Sequence, residues 1–176
     1  MRIFIILFFL SFFCKSQKMF IQVSQVDFFS SAPLEDISAI SNKLEGVVDF
    51  ETGAFFFRIP ITSFVFPSSL MQQHFNEKYM ESELYALSSF KGNLNEKINL
   101  ADNQSINVEA IGVLNIHGVD KDVIVQTYLN IEDRRVQFSS SFNVLLEDFS
   151  IKVPKIVRMN IADTIMVNVS GNLIEK

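Results

Sequence analysis

Along most of the chain, apolar and polar residues alternate with a period of two, as in strands that turn one face to a core and one to water. From 106 to 116 one parity reads Ile106, Val108, Ala110, Gly112, Leu114, Ile116. From 123 to 131 it reads Val123, Val125, Thr127, Leu129, Ile131, against Gln126, Tyr128 and Asn130. The alternation is cleaner in Val136, Phe138, Ser140, Phe142, Val144, against Gln137, Ser139, Ser141 and Asn143, and it returns in Ile165, Val167, Val169, Gly171, Leu173. Earlier strand candidates are 20–29, 47–51, 54–66 and 86–94. Turns are expected at Glu51-Thr52-Gly53, Gly118 to Lys121 and Glu132 to Arg134.

Two stretches read instead as short helices. In the first, Leu34, Ile37, Ile40, Ser41 and Leu44 share a helical face, Pro33 suits a first turn, Glu35 and Asp36 suit the positive end, and Gly46 stops it. In the second, Ser69 with Gln72 resembles a capping box ahead of Leu70, Met71, His74, Phe75 and Met80. The expected fold is all-β: one eight-stranded antiparallel barrel with two short helices. At eight strands a barrel interior is either just filled by side chains or holds one small ligand. The small inward candidates Ala110, Gly112, Thr127, Ser140 and Gly171 point to a partly hollow interior. Filling by large neighbours or by the 34–44 helix stays open as the alternative.

Composition sharpens the picture. Hydrophobic residues make up 48% of 176 and charged residues 20%, which excludes disorder and suits one folded domain. The net charge of -5 has the wrong sign for neutralising phosphates, so no nucleic-acid partner is expected. The 19 Phe stand beside no Trp and only 3 Tyr, an excess of aromatic surface without polar tips.

Part of that excess lies in an export signal. Arg2 precedes the apolar run Ile3 to Phe13, which is shorter than the roughly 20 residues that span a bilayer. Cys14 and Ser16 fit the small positions of a signal peptidase site, which sets the expected cut between Ser16 and Gln17. Phe13 before Cys14 argues against lipidation. Residues 1–16 are thus expected to be a signal peptide and 17–176 the domain, soluble in the periplasm or outside the cell. The mature chain would keep 14 of the 19 Phe and no cysteine, which removes any disulfide or thiolate chemistry.

Three segments carry a resemblance: Leu114-Asn115-Ile116-His117-Gly118-Val119-Asp120-Lys121, then Glu147-Asp148-Phe149-Ser150-Ile151 followed by Val153-Pro154-Lys155-Ile156-Val157, and His74-Phe75-Asn76-Glu77-Lys78-Tyr79-Met80-Glu81-Ser82 ahead of Phe90-Lys91-Gly92. In this order the chain resembles the YceI-like family of exported lipid- and polyisoprenoid-binding proteins over most of 20–173. It departs from the family pattern in carrying Met71-Gln72 in place of an Arg-Asp pair, Phe75 for Leu, and Ser150 for Gly. The resemblance implies a lipocalin-like barrel whose apolar pore holds an isoprenoid chain.

The function expected is storage or transport of an isoprenoid or fatty acyl lipid, with transient membrane contact, no catalysis and no cofactor. Candidate ligand-contacting residues are Phe57, Phe66 and Phe90 in the earlier strands, and Leu114, Leu129, Phe138, Phe142 and Val167 on the apolar parities of the later ones. Only two histidines exist, His74 and His117, and neither has metal-site spacing. His117 is expected to order the Gly118 turn and His74 to pack on the helix face. Lys152, Lys155 and Arg158 form a surface loop or face an anionic lipid head. A small exported enzyme and a solid-cored partner-binding barrel are the rival readings.

Overall fold

The alternating segments pair into one antiparallel sheet that closes on itself. The structure is a computed structural model that describes residues 17–157 and 159–175. The expected signal peptide with Cys14, and Arg158, lie outside these residues. The strands are β1 (Lys18–Ser31), β2 (Asp36–Ser41), β3 (Glu45–Asp49), β4 (Ala54–Pro60), β5 (Leu87–Leu94), β6 (Gln104–Ile116), β7 (Val119–Glu132), β8 (Arg135–Leu145) and β9 (Thr164–Glu175). From β3 to β9 each strand pairs with the next, and β1 closes the ring by pairing with both β3 and β9.

β2 and β3 together occupy one place in that ring. Lys18 faces Asp49 and Val26 faces Ser41, so both segments continue a single register along β1, interrupted only at 42–44. The barrel therefore has eight positions, as expected. The first expected helix does not form, because its central residues are β2. Ile37, Ala39 and Ser41 turn inward while Ser38 and Ile40 face out. A segment this short fits either period, and the edge of β1 from Val26 to Ser31 that β9 does not occupy decides for a strand.

The second helix is present. α1 (Ser69–His74) runs on into one π-helical turn at Phe75–Tyr79. Its cap is Ser68, not Ser69: the Ser68 hydroxyl accepts from Met71 N–H at 3.4 Å, and Gln72 Oε1 accepts from Phe66 N–H at 3.3 Å. The 54–66 strand is also shorter than expected. Beyond Pro60 a 3₁₀ turn at Ile61–Ser63 swings Phe64 and Phe66 off the strand path.

Two hairpins close with a pair of positive-φ residues each, His117–Gly118 (52° and 73°) and Asp133–Arg134 (49° and 62°), the requirement of a type I′ turn. Apolar parities of β6 to β9 face inward as the alternation demands, while Gln137, Ser139, Ser141 and Asn172 face water. At the end holding the β3–β4 and β7–β8 turns, the interior is solid: Met19, Phe50, Ile98, Leu100, Ile131, Val136 and Leu173 are buried there in one cluster.

The inward glycines do not simply leave space. A Cβ at Gly46 would overlap the Phe57 ring, and one at Gly171 would lie 2.8 Å from Phe138 Cε1. Each gives way to a phenylalanine on a neighbouring strand, so the Gly171 position is occupied, contrary to its reading as a hollow.

Candidate functional site

Above the solid end the barrel is hollow in two adjoining chambers. The inner one, of about 150 Å³, lies inside the strands; the outer one, of about 390 Å³, lies under α1. Ile59, Ser88 and Leu114 belong to both walls and form a waist between them.

The phenylalanine excess is explained here. Phe50, Phe55, Phe57, Phe90, Phe138 and Phe142 line the inner chamber. Phe28, Phe64, Phe66 and Phe75 line the outer one, so the two walls take ten of the 14 phenylalanines beyond residue 16. In the inner chamber Phe55 and Phe90 have ring centroids 4.8 Å apart, and Phe57 and Phe138 are 5.9 Å apart. In the outer chamber Phe75 of the helical segment meets Phe28, Phe64 and Phe66 at 5.5, 5.8 and 5.0 Å. Such pairs hold a rigid apolar wall with no hydrogen-bonding demand.

All eight residues expected at the pore lie on these walls. Phe57, Phe90, Leu129, Phe138 and Phe142 are in the inner chamber, Phe66 and Val167 in the outer, and Leu114 at the waist. Phe66 arrives there from the loop after β4 rather than from a strand. The outer chamber also draws on residues without strand periodicity, among them Ile61, Met71, Ile151, Val157 and Ile161. In the sequence Ile61 falls in the strand candidate 54–66, Met71 in the second helix, and Ile151 and Val157 in the segment that carries the family resemblance, while Ile161 has no signal.

Inside, two of the few polar groups satisfy each other. Thr127 Oγ1 and Ser140 Oγ are 2.8 Å apart in the inner wall. At the mouth, Ser30 Oγ accepts from Ala162 N–H at 3.0 Å, and Asn160 Nδ2 donates to Glu35 Oε2 at 3.3 Å. Glu35 thus belongs to the rim and not to a helix start. Burial raises the pKa of the Tyr79 phenol above its usual value, which keeps it a neutral hydroxyl on the outer wall. Glu35, His74, Val157, Asn160 and Ile161 are only partly covered, so the outer chamber meets solvent among them.

His117 has a different place from the one expected. Its ring is buried, with Nδ1 3.2 Å from the Phe149 carbonyl oxygen and Nε2 2.9 Å from Glu81 Oε2, while Tyr85 packs on it at 4.4 Å. It joins three loops at the open end rather than ordering its own turn. Among the described residues no three His, Asp or Glu come together as a metal site. Lys152 and Lys155 are exposed in the loop after β8. Asp148 meets Lys121 at 3.2 Å in an exposed ion pair.

Comparison with known proteins places this architecture. The chain is similar in structure to a polyisoprenoid-binding domain from Saccharophagus degradans implicated in plant cell wall breakdown. The TM-score is 0.76 at 14% identity, over 92% of this chain and 100% of that one. It is also similar to Burkholderia cenocepacia BcnA, with a TM-score of 0.71 at 15% identity over 86% and 96% of the two chains. A Campylobacter jejuni YceI protein aligns with a TM-score of 0.59 at 19% identity over 76% and 82%. No protein with a curated description matches the sequence. The model of the YceI-like domain matches residues 19–173, from the first strand to the last, and the chain belongs to that family.

Proposed function

We propose that the protein is an exported carrier that takes an isoprenoid or another long apolar chain tail-first into the barrel and holds it without chemical change. The observation that carries this reading is the pair of adjoining phenylalanine-lined chambers, closed by a solid core at one end and open at the other. Volumes of this size and lining suit a small apolar ligand. The polyisoprenoid-binding domain with the same fold supports an isoprenoid in particular. Binding is by burial: each CH₂ moved from water to the wall contributes about 0.8 kcal/mol, and about ten of them supply on the order of 8 kcal/mol before ordering costs. The mouth, with Glu35, His74 and Asn160, offers hydrogen bonds to a polar head.

Mass spectrometry of an organic extract of the purified protein tests the reading. A long-chain isoprenoid or acyl lipid near one per protein supports it. An extract without lipid, together with no uptake of a dispersed polyprenol, sinks it. Export is tested on material recovered outside the cytoplasm: its chain should start at Gln17, and an acylated Cys14 or an intact Met1 overturns the cleavage site.

A further inference from the structure

Beside the wall of the outer chamber stand four apolar side chains that are largely exposed. Leu34, Leu70, Ile156 and Met159 are 67%, 59%, 89% and 52% exposed. Each adjoins in sequence a residue of the chamber wall, namely Glu35, Met71, Val157 and Asn160. Two of them are joined through the backbone, since Leu34 N–H donates to the Met159 carbonyl at 2.9 Å. Exposed apolar residues scattered singly need no explanation, but four around one opening form a patch that suits a partner.

The charge of one segment of this rim names the partner. From Ile151 to Ile161 the sequence holds three basic residues and no acidic one, in a chain whose net charge is -5. Lys152 and Lys155 are exposed, and neither pairs with a carboxylate among the described residues. The rim carboxylate of Glu35 is turned to Asn160. Basic residues interleaved with bulky apolar ones are the chemistry of an anionic membrane surface: the apolar groups enter the headgroup–acyl boundary and the lysines meet phosphates. A symmetric pairing of two copies through this face would instead set the basic segments against each other.

We propose that the mouth docks on the surface of a bilayer that carries anionic headgroups, with Leu34, Ile156 and Met159 inserted and Lys152 and Lys155 on the phosphates. The proposal rests on the carrier reading, since it sets the cavity against the layer that supplies its ligand and lets an apolar chain pass without crossing water. It adds a binding surface outside the cavity wall.

The test compares the protein as purified with Ile156→Ser/Met159→Ser and Lys152→Ser/Lys155→Ser, none of which alters the chamber lining. Folding is checked by circular dichroism and association state by light scattering. Partition is measured on vesicles of phosphatidylcholine alone and with phosphatidylglycerol, and uptake is measured separately with a polyprenol dispersed without membrane. The unaltered protein should bind the phosphatidylglycerol vesicles, and each double variant should bind them about tenfold more weakly. High salt should reproduce the lysine loss but not the apolar one. Uptake of dispersed polyprenol should be equal in all three. Equal vesicle binding by all three chains overturns the docking surface, as does a dimer that only the apolar variant loses. Rim-dependent vesicle binding without uptake of dispersed polyprenol keeps the docking surface and sinks the carrier reading instead.

Discussion

His117 and Glu81 meet at 2.9 Å across the open end of the barrel, although each sits in a left-handed backbone conformation, with φ of 52° and 44°. Ser150, next to the Phe149 whose carbonyl faces the other nitrogen of His117, has φ 57°. Strained residues of three separate loops therefore converge on one ring, and the contacts of that ring hold the segment after α1 against the barrel. Replacing His117 by Ala removes its polar contacts with the Phe149 carbonyl and the Glu81 carboxylate and its packing on Tyr85, and should cost about 2–4 kcal/mol. Urea unfolding measures the loss, and proteolysis near 81–86 should quicken. An unchanged midpoint would show that the helical segment is held by its phenylalanines alone.

Phe142 and Ser141 are neighbours on β8 with opposite faces: Phe142 lines the inner chamber and Ser141 is exposed. A carboxylate at Phe142 must stay solvated or become neutral inside an apolar wall. Phe142→Asp should stay folded, because one side of the ring already borders the chamber, and should lose polyprenol uptake; Ser141→Asp should keep it. Phe138→Asp is more disruptive, since Phe138 packs on Phe57 and over Gly171. Uptake by a folded Phe142→Asp equal to that of Ser141→Asp would place the ligand elsewhere.

The waist offers a measure of chain length. Ser88 belongs to both chambers and is small and buried. Ser88→Leu should close the inner chamber while leaving the outer one open. Affinity for a chain long enough to reach inside should fall on the order of 100-fold, equivalent to three or four CH₂ groups at about 0.8 kcal/mol each, and short chains should bind as before. Titration with a length series of polyprenols reads the difference; undiminished affinity at every length would mean that the inner chamber holds no ligand.

Uptake should not depend on metal, because the mouth offers His74 and Glu35 but no clustered ligand set among the described residues. Purification with and without a chelator, followed by polyprenol binding, checks this. Loss on chelation that one metal restores would overturn it.

How far sequence alone leads differs between the two ends of the chain. In β6 to β9 the side-chain period of two settles which residues face inward, because a one-residue slip would turn Val136, Phe138 and Val144 into water and Gln137 and Asn143 into the core. That strand interior, and with it Leu114, Leu129, Phe138, Phe142 and Val167, was legible without coordinates. The segment from Leu34 to Leu44 was not, since its apolar positions satisfy a helix as well as a strand. The choice belongs to β1, whose edge from Val26 to Ser31 away from β9 needs a partner. Residue size along a strand likewise misjudges where space remains, because a glycine such as Gly171 is covered by the ring of a residue on the next strand, Phe138. The outer chamber is further still from the sequence: Ile61, Phe64, Phe75, Ile151 and Ile161 come from two connectors, β4–β5 and β8–β9, with no shared period. Local alternation therefore determined the barrel and its inner wall, whereas the mouth exists only once closure of the sheet brings those connectors to one end, where their apolar faces have only each other and the cavity to cover them.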